Sequence, residues 1–112
     1  MNFKTESNGA VMVVMVREER LDAHNSNELK VEMNRLFESG TKNLVVDLKE
    51  VRFIDSSGLG VLVSGFKNAS THQGSIKLCC LQTQVKSMFE LTRLHRVFEI
   101  FNDVDEALGS FS

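Results

Sequence analysis

A chain of 112 residues, 42% apolar and 25% charged, has the make-up of one globular domain, expected to span residues 1–112. Its formal charge of −2, with Lys and Arg scattered rather than massed, excludes a nucleic-acid footprint. Apolar runs such as Val11 to Val16 reach only about six residues, far short of a membrane span, and Met1 to Glu6 lacks the architecture of a secretory leader, so the expectation is a cytoplasmic protein without membrane insertion.

Phe3 to Ser7 and Val11 to Val16 read as strands, and the Asn8-Gly9 pair between them is a strong hairpin signal that makes them antiparallel neighbours. Arg17 to His24 is polar and loop-like. Asn25, with Glu28 three residues on, resembles a capping box opening a helix whose apolar stripe is Leu29, Met33, Leu36 and Phe37 and whose end is Gly40. A strand over Leu44 to Leu48 follows, then the sextet Asp55-Ser56-Ser57-Gly58-Leu59-Gly60 and a helix to about Ser70. Gly74 marks the turn into a strand over Ile76 to Leu81. The spacing predicts a helix over Thr83 to Thr92, with Val85, Met88, Phe89 and either Leu91 or Thr92 inward. Val97 to Phe101 is a last short strand, and Asp103 begins a closing helix with Asp105 and Glu106 in its first turn, the end that favours negative charge. Strands alternating with helices imply right-handed crossovers: an α/β fold with a mostly parallel sheet of about five strands, the first antiparallel, and about four helices.

Cys79 and Cys80 are adjacent, and strand neighbours point to opposite faces, so they read as two small hydrophobes. No CxxC pair is present, which supports neither zinc nor thioredoxin-like chemistry; no metal or cofactor is expected.

The sextet is the most informative stretch, because a carboxylate, two hydroxyls and two glycines fall where a strand ends and a helix begins. Free N–H groups and the positive end of the helix dipole gather there, suiting a phosphate that is bound or attached. A serine-hydrolase elbow would need Gly-x-Ser-x-Gly, and Ser56 has no glycine two residues before it. Gly58-Leu59-Gly60 starts like a dinucleotide fingerprint, but Val63 stands where its third small residue belongs, and no Gly-Lys-Ser/Thr occurs. A plain helix cap explains Asp55 or Ser56 but not two glycines that each cost about 1 kcal/mol against alanine in a helix, so a close approach is expected there. With Leu59, Leu62, Val63 and Phe66 facing the sheet, Gly60, Val61, Ser64, Gly65 and Asn68 fall outward or to the flank, with Val61 as an exposed apolar residue.

The stretch Val51-Arg52-Phe53-Ile54-Asp55-Ser56-Ser57-Gly58-Leu59-Gly60 closely resembles the signature of bacterial anti-sigma factor antagonists, the single-domain STAS proteins. The Leu21-Asp22 pair, the Asn25 to Glu38 helix, Val46-Asp47-Leu48, the Gly74 turn and the Val85 to Thr92 helix fall where that family has counterparts, so the likeness covers essentially the whole chain. It implies a non-enzymatic regulator that binds an anti-sigma factor, itself a serine kinase of the histidine-kinase ATPase type, and so frees a sigma factor. It places the phosphorylated hydroxyl on Ser56, with Ser57 second, and a serine phosphatase reverses the mark. Asp22 matches a family acidic position near the acceptor, and the partner surface it implies draws on Asp22, Asp55, Ser56, Ser57, Gly58, Gly60, Val61, Ser64, Gly65 and Asn68. One departure is Glu18-Glu19-Arg20, where the family often has a glycine. The alternatives are a STAS scaffold or accessory subunit of a lipid-transport ATPase, or a small-molecule or nucleotide-binding regulatory domain.

Overall fold

The computed structural model describes residues 1–111. Strands β1 (Phe3–Asn8) and β2 (Val11–Val16) make the expected hairpin, paired from Phe3↔Val16 to Asn8↔Val11. Its loop is Gly9-Ala10, one step later than the Asn-Gly pair suggested, and Gly9 takes a φ of +61° that suits a residue without Cβ. Within the presumed loop from Arg17 to His24 lies strand β3 (Arg20–Leu21), whose Leu21 is fully buried.

Helix α1 (Ser26–Glu38) buries Leu29, Met33, Leu36 and Phe37, as their spacing requires. The capping box is not made. Asn25 Oδ1 accepts from the Asp22 amide (3.0 Å), its Nδ2 donates to Arg20 O (2.7 Å), and Glu28 instead pairs with the Met1 ammonium (2.7 Å). An Asx side chain that finds backbone partners in its own loop is drawn away from the helix amides.

Strand β4 (Asn43–Asp47), strand β5 (Phe53–Ile54), helix α2 (Ser56–Thr71), strand β6 (Ser75–Cys79), helix α3 (Thr83–Leu91), strand β7 (Ile100–Phe101) and helix α4 (Val104–Gly109) follow, with a 3₁₀ turn over Leu94–Arg96 before β7. The main sheet runs β1-β2-β4-β6-β7, parallel throughout except for β1. This is the expected α/β architecture of five strands and four helices. The two unexpected short strands, β3 and β5, pair with each other in parallel, Arg20↔Phe53 and Leu21↔Ile54.

One sheet face is buried beneath the first three helices by a core that includes Val14, Leu44, Val46, Leu62, Leu78 and Phe89. Among the described residues, the opposite face carries only α4, whose Ala107 packs on Val11, Val13, Val45 and Cys79. Lys77 is buried on that side, its Nζ donating to Ser110 Oγ (2.8 Å) and Ser110 O (3.3 Å), pairing with Glu99 (3.2 Å) and lying 4.2 Å from the Phe111 ring centre. A buried ammonium needs such partners, because desolvation without them is prohibitive.

Three further expectations fail locally. Leu91 and Thr92 are both exposed, Leu91 by 78%, because α3 docks through Val85 and Phe89 and ends about 200° around its axis from Phe89. Val97 is exposed outside any strand, whereas Phe98 is buried edge-on against Phe66 and Phe89. Cys80 leaves β6 with a φ of +68°, which ends the strand alternation and brings its thiol to 2.8 Å from Cys79 Sγ instead of to the opposite face. Among the described residues, no helix is long and apolar enough to cross a membrane.

Candidate functional site

The start of α2 is held by Asp55. Its backbone is extended, its Oδ1 accepts from the Gly58 amide (3.0 Å), and its backbone carbonyl accepts from Leu59 N (3.0 Å), so it is the N-cap. The other carboxylate oxygen accepts from the Ala23 amide (3.2 Å), in the turn between β3 and α1, and the Asp55 amide donates to Leu21 O (3.3 Å). One side chain thus ties the helix start to a loop 32 residues earlier. Gly58 lies directly above this junction: a Cβ there would stand 2.5 Å from Leu21 O and 2.8 Å from Ile54 Cγ1, which accounts for the first of the two glycines. Gly60 has nothing within 4 Å of a notional Cβ and is exposed. Packing does not require a glycine there.

With Asp55 taken as the cap, Ser56 becomes the first helical residue. It is exposed, and none of the side-chain hydrogen bonds among the described residues engages its hydroxyl; Ser57 beside it is half-buried. Ser56 stands on the rim of a mainly apolar groove of about 380 Å³ between β5 and α3, walled by Phe53, Ile54, Gln84, Ser87, Met88 and Leu91. A second cleft, of about 350 Å³, adjoins it across Phe53 and Asp55 and is lined by Arg20, Asp22, Ala23 and His24. A hollow of similar size at the opposite end, by the β1–β2 loop and Gly40, is remote from these groups.

Asp22, expected near the acceptor, is buried in the second cleft. The His24 amide donates to its Oδ1 (3.0 Å) and holds the carboxyl below its ordinary value of 3.8; burial opposes this shift, and the Arg20 guanidinium 3.3 Å from Oδ2 assists it. Arg20 also lies over the Phe53 ring, 4.2 Å from its centre. Asp22 therefore shapes the loop against which the start of α2 is braced. His72 and His95 direct their Nδ1 atoms to the carbonyls of Asn68 and Phe89, in keeping with structural roles.

Four residues expected in the partner surface, three of them on the outward or flanking face of α2, lie elsewhere. Gly58 and Gly65 are buried, the latter with Met33 Cε of α1 only 2.9 Å from a notional Cβ. Val61, expected as an exposed apolar residue, is 8% exposed and belongs to the core. Asn68 turns toward α1, its Nδ2 donating to Asn34 Oδ1 (2.8 Å). Conversely Val63 and Phe66, expected to face the sheet, are only partly buried. The reason is that α2 packs on two sides, against the sheet and against α1, which rotates the buried sector away from the apolar stripe alone. Ser56, Gly60 and, in part, Ser64 remain accessible at successive turns.

A family model for the STAS domain matches residues 2–107. The chain belongs to the STAS domain family. This STAS domain is 26% identical over 109 residues to the anti-sigma F factor antagonist of Paenibacillus polymyxa, a match covering 96% of this chain and 92% of that one. It is 34% identical over 80 residues to the anti-sigma-B factor antagonist of Bacillus subtilis, covering 71% of this chain and 72% of that one. Among solved structures, a Thermotoga maritima protein provisionally assigned as an anti-sigma factor antagonist superposes with a TM-score of 0.91 at 27% identity, over 96% of this chain and 92% of that one. The groove walls on α3 (Gln84, Ser87, Met88 and Leu91) are what a reading of the STAS sequence overlooks, because only the exposed Leu91 departs from an ordinary amphipathic pattern.

Proposed function

We propose that this STAS domain is an anti-sigma factor antagonist that works by partner switching, with Ser56 as the switch. Unmodified, it binds an anti-sigma factor that is also a serine kinase of the histidine-kinase ATPase type; phosphorylation of Ser56 breaks the complex, and a serine phosphatase restores it. The observation that carries this reading is the position of Ser56, exposed at the head of a 16-residue helix, with a hydroxyl unengaged among the described side-chain hydrogen bonds. The named functions of the relatives support it.

The accessible surface around it comprises Ser56, Ser57, Gly60 and Ser64, continued by Ser87, Met88 and Leu91 across the groove. Asp22 and Asp55 brace that surface, while Gly58, Val61, Gly65 and Asn68 support it from beneath. A phosphate on Ser56 adds about −1.5 to −2 charges and three acceptor oxygens. In the free protein it meets the helix dipole and solvent, so the fold is retained. Under a docked partner the same charge is buried without a counter-ion beside the Asp55 carboxylate, which costs about 3–5 kcal/mol. That is roughly two to three and a half decades of affinity.

The test is an intact-mass measurement on protein from its own cells, with fragmentation to locate the modification, beside pull-downs with two variants. We expect phosphate on Ser56, Ser56→Ala to bind the kinase and resist modification, and Ser56→Asp to fold yet bind poorly. Full phosphate uptake by Ser56→Ala would show that the acceptor is another residue.

A further inference from the structure

On the sheet face away from α2, the ends of two neighbouring strands bring three metal-ligating side chains together. Asp47 and Cys79 are register partners, the last residues of β4 and β6, and their side chains share the face covered by α4. The left-handed backbone of Cys80 swings a second thiol onto the same spot. One carboxylate oxygen of Asp47 and the two Sγ atoms all lie within 4.8 Å of one another.

The independent observation is the state of the carboxylate. Asp47 is 2% exposed, and although its Oδ1 accepts from the Lys49 amide (2.9 Å), its Oδ2 is buried with no hydrogen bond of sound geometry. Lys49 Nζ reaches only to 3.9 Å from Oδ2. A buried carboxylate oxygen short of hydrogen-bond partners is costly, and this carboxylate stands within 4.8 Å of two soft sulfur ligands. We infer that Asp47, Cys79 and Cys80 form a binding site for a soft divalent cation of the zinc class.

The chemistry suits that ion. Two thiolates with one carboxylate select zinc-like metals over magnesium or calcium, which prefer all-oxygen shells. Tetrahedral geometry with Zn–S near 2.3 Å sets the sulfurs about 3.8 Å apart, so the thiols must part by about 1 Å from their present 2.8 Å contact. Binding releases both thiol protons to solvent, and two thiolates plus the Asp47 carboxylate leave the divalent site with one negative charge, opposite the Lys49 ammonium. A surface cavity of about 220 Å³, with Glu6, Asp47, Lys49 and Asp105 among its walls, reaches the site from the Asp47 side. The fourth coordination position is left to water.

The site is independent of Ser56, and so is its test. Tag-free protein, kept reduced with a phosphine, is titrated with Co²⁺ and followed by absorption. We expect one Co²⁺ per chain, a thiolate-to-cobalt charge-transfer band with the visible bands of tetrahedral cobalt, and bleaching of both by Zn²⁺. Cys79→Ser and Cys80→Ser should each remove about half of the charge-transfer intensity or more. Asp47→Asn, which keeps the shape of the side chain, should weaken cobalt binding by more than the roughly 10–100-fold that loss of an outer-sphere partner costs. Circular dichroism establishes that each variant is folded. Absence of the band in the unaltered chain, or a band indifferent to all three substitutions, overturns the inference.

Discussion

Replacing Gly58 and Gly60 by alanine, one at a time, should affect stability unequally, with only the second change favourable. Both lie near the start of α2, and helix propensity alone gives them the same expectation, a gain of about 1 kcal/mol over glycine. At Gly60 nothing stands within 4 Å of the added methyl, so a gain of up to that amount is expected. At Gly58 the methyl would sit 2.5 Å from Leu21 O, which cannot withdraw freely because the Asp55 amide donates to it and the residue is paired in β3. Overpacking of this kind costs about 1–3 kcal/mol. Set against the propensity gain of about 1 kcal/mol, it leaves Gly58→Ala neutral to about 2 kcal/mol less stable, about 1–3 kcal/mol below Gly60→Ala. Urea titrations followed by circular dichroism, compared at a common m-value, resolve that difference. If both variants raised the midpoint equally, the close approach of α2 to β3 would not be why residue 58 is glycine. Binding adds a second axis. Gly60→Ala should gain stability while losing affinity for the proposed anti-sigma partner, since its methyl projects from the surface one turn beyond Ser56.

Val61→Asp places a carboxylate in a position 8% exposed and without a partner, and should destabilise by about 3 kcal/mol or more; an unmoved denaturation midpoint would mean that Val61 does not face the core. The Asp22 carboxyl has a lowered pKa in the fold, so its contribution is present above its ordinary 3.8 and is lost as pH falls through the lower folded value. Asp22→Asn should therefore flatten the acid limb of the stability curve, measured as denaturation midpoints across a pH series, and superposable limbs for the two proteins would contradict it.

The larger elements were legible because each carries its own period. Val11 to Val16 and the Leu29, Met33, Leu36, Phe37 stripe announce a buried strand and a one-sided helix, and the structure follows both. What escaped was set by contacts between distant segments. Strands β3 and β5 have two residues each, too few to show any alternation, and exist because Arg20-Leu21 and Phe53-Ile54 meet. The face of α2 was misjudged because burial against α1 depends on what is small, Gly65 under Met33, and hydropathy does not register smallness. At the site, the acidic cap and exposed serine were readable from the sextet, whereas the arm from Asp55 to Ala23 and the α3 wall of the groove were not. The Asp47–Cys79–Cys80 cluster was equally hidden. Its members are joined by strand register and by one left-handed residue, neither of which leaves a spacing motif.

The Lys77 clasp makes the two faces of the sheet unequal in permanence. A helix of six residues is too short to persist on its own, so α4 stays in place through Ala107 and through the hydrogen bonds that the buried ammonium makes with Ser110. The three-helix side is therefore expected to open only with the whole molecule, whereas α4 should release at a fraction of the global free energy, seen as earlier amide exchange in α4 than in β4 and β6. Each release bares Val13 and Val45 next to the outer strand β1, and two molecules caught in that state have apolar surface and a strand edge to share. Self-association that grows with concentration and is relieved by pinning α4 to the sheet is the expected consequence, read by light scattering across a concentration series.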